Sequence, residues 1–138
     1  MNTPTGAPLV IREGRGDDLP RIAVVEQLSF EDPWPMLALR SELDADEQRR
    51  PLVAERGERL LGYLMAWVVA DEYHIVNIAV HPGYRRGGIG DLLLDAGLEE
   101  ARSSGCTMAT LEVRRSNTSA IAFDDRRGFL EVGCRRGY

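Results

Sequence analysis

Apolar residues recur along the chain in two periods. Leu19, Ile22, Val25 and Leu28 are spaced by three, which predicts one apolar face of a helix. Asp17 or Asp18 stands at its cap position, and Pro20 suits its first turn. Pro33 and Pro35 interrupt the spacing, which restarts over 36–43 as a second short helix. Strands are predicted over 9–12, 52–55 and 59–69, with Gly57 turning between the last two. The stretch 75–80 is nearly all apolar, as in a strand buried on both faces, and His81-Pro82-Gly83 ends it. Helical spacing returns at Ile89, Leu92, Leu93, Ala96 and Ala101 and stops at Gly105. A strand over 108–114, a helix from Ser116 or Asn117 to about Arg126, and a strand over 130–135 follow. Early antiparallel strands followed by strand–helix–strand–helix–strand predict an α/β (α+β) sandwich of helices on a mixed sheet. No repeat or linker divides the sequence, so one domain over 1–138 is expected.

Composition narrows the function classes. The most apolar stretch, 60–70, is interrupted by Gly62 and too short to span a bilayer, so no membrane role is expected. Residues 1–8 lack the basic start and apolar run of a signal peptide, which predicts a cytoplasmic protein. Cys106 and Cys134 lie far apart, and neither His74 nor His81 stands in a metal-ligand spacing, so no metal is expected. All 17 basic residues are Arg. The absence of Lys excludes a Walker A loop, a Schiff base and a Lys general base. A net charge of −5 speaks against nucleic acid as a partner. It suits a basic peptide substrate, and solubility explains it equally well.

The segment Tyr84-Arg85-Arg86-Gly87-Gly88-Ile89-Gly90 lies between a predicted buried strand and a helix start. Glycines there let the backbone approach an anion, and the first N–H groups of the helix point at it. Arg85 and Arg86 add positive charge, so a pyrophosphate is the natural occupant. The plainer alternative is a glycine-rich turn with solvated arginines. A dinucleotide fingerprint would need another Gly where Leu93 stands. What remains is Arg85-x-x-Gly88-x-Gly90.

This motif resembles that of the GNAT acetyltransferase superfamily. The order and spacing of Asn77-Ile78-Ala79-Val80-His81-Pro82, Leu111-Glu112-Val113-Arg114, Ser116-Asn117, Ala120-Ile121-Ala122 and Gly128-Phe129 extend the likeness. They resemble the RimI-type branch, the ribosomal-protein-alanine N-acetyltransferases, closely over 71–138 and weakly before. The resemblance implies a mixed, mostly antiparallel sheet flanked by helices and splayed at a cleft for acetyl-CoA. Backbone groups of Ile78, Ala79 and Val80 would pair with the cofactor, and the Val80 N–H would polarise the thioester oxygen. Arg85 and the run Arg86, Gly87, Gly88, Ile89, Gly90 and Asp91 would hold the pyrophosphate, and Asn117 would bond the cofactor arm. Trp34 and Tyr138 are candidates for contact with the acceptor. The acceptor implied is a protein N-terminal amine, with ribosomal protein S18 as the substrate class. A lysine side chain or a small-molecule amine is the alternative, and a module that binds acyl-CoA with little catalysis is another. The sequence leaves monomer or dimer open.

Glu112 interrupts an apolar strand between Leu111 and Val113 and matches the family's base. The other reading of it is a solvent-facing Glu. Relatives carry Tyr as general acid where this chain has Asp124. An ordinary aspartate, with a pKa near ~3.9, is ionised at neutral pH and cannot donate a proton. The family also has a further strand after the residues that match 135–138, so three expectations stand open: the sequence is trimmed there, the sheet lacks its last strand, or a partner chain covers that edge.

Overall fold

A computed structural model describes residues 7–44, 46–112 and 134–135, with backbone only at 112, 134 and 135. The strands β1 (Leu9–Glu13), β2 (Leu52–Arg56), β3 (Arg59–Val69), β4 (Glu72–Val80), β5 (Met108–Glu112) and β6 (Cys134–Arg135) form one sheet in that order. β1 to β4 are antiparallel neighbours, whereas β4–β5 and β5–β6 are parallel. A parallel neighbour needs a crossover. Helix α3 (Ile89–Ser103) supplies it between β4 and β5. Its end is closed by paired bonds from Cys106 N–H to Ala101 C=O and from Gly105 N–H to Arg102 C=O, 2.9 and 3.0 Å. The helices α1 (Leu19–Ser29) and α2 (Met36–Ser41) complete the described elements. The predicted mixed, mostly antiparallel sheet with flanking helices is the observed architecture.

Side chains alternate across β3, so the sheet carries a core on each face. Leu64 and Ala66 meet Leu93, Leu94, Leu98 and Ala101 of α3. Tyr63 and Met65 meet Ile22, Val25 and Phe30 on the α1 side. The long central strand is therefore buried on both faces, as is β4 beside it. In β4 the alternation is broken once. Met65 pairs with Asn77 and Ala66 with Ile75, which leaves Val76 as an extra residue. Tyr73, Ile75 and Ile78 pack on the α3 side. Val76 packs on the α1 side, and Asn77 bonds Glu26 of α1.

Two expectations for α1 are corrected. The buried row is Ile22, Ala23, Val25 and Glu26, while Leu28 is 54% exposed. Hydrogen bonds to Glu26 from β3 and β4 turn this helix away from its purely apolar row. Asp18 precedes α1, but its side chain makes no capping bond to that helix. It is fully buried and faces the sheet. Its oxygens accept from Arg12 at 2.8 and 3.0 Å, from Arg21 at 2.6 Å and from the Arg15 N–H at 2.8 Å. The Arg12 Nε meanwhile reaches Glu55 of β2 at 2.8 Å.

Burial pushes the Asp18 carboxyl up, yet the bonds from Arg12 and Arg15 and the charges of Arg12 and Arg21 outweigh it and hold the pKa at about 2. Because the folded value lies below the unfolded one, the stabilisation is present above about pH 4 and is lost as pH falls towards about 2. Asp18→Asn removes that contribution. Thermal melts from pH 7 to pH 2 will show a variant destabilised by about 2 kcal/mol at neutral pH, with the gap closing over the acid limb.

Candidate active site at the end of the fourth strand

β4 and β5 pair from Glu72–Met108 to Ile75–Leu111, and the described pairing stops there. β4 runs on along β3 to the Gly62–Val80 pair. Glu112 is the last described residue of β5, and its backbone pairs with Arg135 of β6. The His81 N–H bonds Leu61 C=O at 2.7 Å, which places the Ala79–Tyr63 pair in the hydrogen-bonded phase of the ladder. Ile78 and Val80 take the alternate phase, so their N–H and C=O groups are directed away from β3, towards the side of β4 on which β5 lies. The Val80 carbonyl confirms this direction, because it accepts from Arg85 Nε at 2.9 Å.

The glycine loop begins where β4 ends. Tyr84 is held at its hydroxyl by Arg59 at 3.0 Å, and its ring meets the edge of His81. The His81 ring accepts from the Gly83 N–H at 3.0 Å. Arg85 turns back, with Nη2 also donating to Ser29 at the end of α1, 3.1 Å away. Beyond these fixed residues Arg86, Gly87 and Gly88 are exposed. Arg86 has φ +73° and Gly88 φ +83°, so the chain doubles back sharply. A side chain at Gly88 would meet no atom within 4 Å, which leaves an open cradle in front of it. The first intrahelical bond of α3 joins Leu92 N–H to Gly88 C=O. The N–H groups of Ile89 and Gly90 therefore precede the helical ladder, and Gly88 has no side chain to cap them. Both residues are buried, so backbone N–H groups and the Arg86 side chain are what they and their neighbour can offer an anion.

The sequence-predicted residues 78–80 and 85–91 are thus brought together at one end of β4, and the Glu112 backbone lies on the neighbouring strand, one residue past the Ile75–Leu111 pair. Trp34 is half-buried and packs on the α1-side core. Asn117, Asp124 and Tyr138 lie outside the described residues. Sequence reasoning missed Glu26, which is fully buried, and its partner Asn77. The signal was present, since Glu26 stands four residues after Ile22 on the helix's own inner row. Among the described residues no group of three or more His, Cys, Asp or Glu side chains could hold a metal ion.

The model of the acetyltransferase (GNAT) family matches residues 19–129. The chain belongs to the GNAT family. Within it, the chain is 34% identical over 121 residues to the [ribosomal protein bS18]-alanine N-acetyltransferase of Salmonella typhimurium, covering 88% of this chain and 80% of that protein. It is 36% identical over 127 residues to the N-alpha-acetyltransferase RimI of Mycobacterium tuberculosis, covering 88% and 78%. The crystal structure of the ribosomal-protein-S18-alanine N-acetyltransferase from Escherichia coli superposes with a TM-score of 0.80 at 30% identity, over 88% of this chain and 77% of that one. The PaiA N-acetyltransferase from Thermoplasma acidophilum, solved with coenzyme A, shares the fold with a TM-score of 0.78 at 18% identity, over 87% and 88%.

The end of β4 in this GNAT chain depends on a close approach of β3 to β4. A Cβ on Gly62 would stand 2.8 Å from the Ala79 carbonyl oxygen and 3.2 Å from Leu93. The first contact is backbone, so the strands must separate to admit it. Gly62→Ala is expected to cost about 1–3 kcal/mol, and a thermal melt will read it as a loss of several degrees.

Proposed function

We propose that this chain transfers the acetyl group of acetyl-CoA to the N-terminal α-amine of a protein, with ribosomal protein bS18 as the acceptor. The observation that carries this reading is the open glycine turn between the end of β4 and the start of α3, with the first N–H groups of that helix and Arg86 beside it. Family membership and the names of the relatives support the reaction, and the relatives named for bS18 support the acceptor. Acetyl-CoA supplies the activated acyl group as a thioester: the amide C–N bond forms as the C–S bond breaks, and CoA leaves as a thiolate that takes its proton from solvent.

The chain's own residues divide the work. The N–H groups at the start of α3 and the Arg86 guanidinium hold the pyrophosphate in the cradle. Ile78 and Val80 present strand-edge groups to the pantetheine arm. The Val80 N–H donates to the oxygen on which charge develops, a fixed donor that needs no reorganisation. Arg85 acts behind them, bonding the Val80 carbonyl and so fixing the end of β4 to the loop. Glu112, on β5, takes the proton from the amine directly or through a water. An α-amine has a pKa near ~7.7–8.0, so it needs only mild help at neutral pH.

CoA release with acetyl-CoA and a peptide carrying the bS18 N-terminus tests the reading. The chain should turn over, and Glu112→Gln should lower kcat by roughly 10²–10⁴ while acetyl-CoA still binds. Binding without turnover on this peptide or others would sink the transferase reading in favour of an acyl-CoA-binding module. A second variant tests the loop. Arg85→Ala frees both the Val80 carbonyl and Ser29, and the acetyl-CoA Kd measured by titration should rise about tenfold.

A further inference from the structure

Glu26 projects from α1 into the interior and is 0% exposed. Its Oε1 accepts from the Tyr63 hydroxyl of β3 and from Asn77 Nδ2 of β4, the latter at 2.9 Å. Its Oε2 accepts from the Trp34 backbone N–H at 2.7 Å. Burying a carboxylate costs several kcal/mol before its hydrogen bonds repay any of it. An apolar side chain would fill the same space without that cost. What the carboxylate provides, and an apolar residue cannot, is a junction between three separate parts of the chain.

Two of those parts bear on the candidate site. Asn77 follows the extra residue of β4 and precedes Ile78, so Glu26 grips the strand just before its end at the glycine loop. Trp34 lies in the connection 30–35 between α1 and α2, whose Phe30 is buried in the same core. The cradle and α3 lie on the face carrying Leu64, Ile75 and Ile78. The connection 30–35 lies with α1 on the opposite face, over Tyr63, Met65 and Ala79. With the acyl donor held on the α3 side, the α1 side is the face left for the nucleophile.

We propose that Glu26 is a positioning residue for the acceptor. It locks the 30–35 connection, through the Trp34 N–H, to Asn77 of β4 and thereby sets the wall against which the acceptor peptide lies. The assignment rests on the transferase reading. Glu26 is not a catalytic residue, since it is enclosed and both its oxygens already accept bonds within the protein.

The test is Glu26→Gln in the full chain. A glutamine keeps one acceptor oxygen and turns an NH₂ towards a donor, so the junction cannot be satisfied in full. The acceptor-peptide KM should rise about tenfold while the acetyl-CoA Kd stays within about twofold. Tyr63→Phe, which keeps the ring and removes one donor, should raise the acceptor-peptide KM by less and again leave the acetyl-CoA Kd within about twofold. An unchanged acceptor KM in both variants, or a parallel loss of acetyl-CoA affinity, would overturn the assignment. Emission from Trp34, read in a Trp67→Phe background, reports the lock without turnover. A red shift in the Glu26→Gln variant is expected, and an unchanged spectrum would overturn the lock. If the parent chain binds acetyl-CoA but turns over no peptide, the transferase reading fails, and the Trp34 emission still decides whether Glu26 holds the connection.

Discussion

Inserting Val76 into β4 opposite the Met65–Ala66 step does two things, and the rest of the site depends on both. It shifts the phase of the strand, so that Asn77 faces α1 and reaches Glu26 while Ile78 stays in the α3-side core. It also sets the phase in which Ile78 and Val80 turn their backbone groups away from β3. Backbone donors and acceptors of a strand need partners where they are buried. Here Arg85 takes the Val80 carbonyl and ties the end of the strand to the glycine loop that follows it.

The loop that follows β4 is strained at its tip and anchored at its base. Arg86 at φ +73° is unfavourable for a side-chain-bearing residue. Its neighbours offset that strain through the Tyr84–Arg59 bond, the His81–Gly83 bond and the two contacts of Arg85. The cradle is therefore held in shape before any anion arrives, so little ordering remains to be done on binding. The all-Arg cation set serves both ends of the molecule. A guanidinium can bond two acceptors in fixed directions, and Arg12 between Asp18 and Glu55 ties β1 and β2 to the start of α1 in the same manner as Arg85 ties β4 to its end.

Much of this was legible in the sequence because it depends on local chemistry. Strand and helix periods located β3, β4 and α3, and a glycine pair between a buried strand and a helix start located the cradle. Glu112 stood out as a charge inside an apolar strand, and its backbone is the last described position of β5. What escaped was set by tertiary partners. Asp18 looks like a cap in one dimension, but Arg12 and Arg21 compete for its oxygens and win with charge. The row Leu19, Ile22, Val25, Leu28 is a good apolar stripe on its own. Bonds to Glu26 outweigh the burial of Leu28, so the helix turns a carboxylate inward and leaves that leucine 54% exposed.

That choice separates a fold that merely packs from one that can hold two reactants. Apolar contacts on the α1 face would be satisfied by several small rotations of the helix, since packing is tolerant of hydrophobic rearrangement when volume is kept. Hydrogen bonds to a single carboxylate are not, because each fixes a direction as well as a distance. Glu26 ties one helix, two strands and the connection 30–35 to a common point. Arg85 adds a second tie between α1 and β4, since it bonds both the Val80 carbonyl and Ser29 at the end of the helix. Glu26 at Asn77 and Arg85 at Val80 thus hold the end of β4 to α1 in directions that apolar packing alone would leave free to shift.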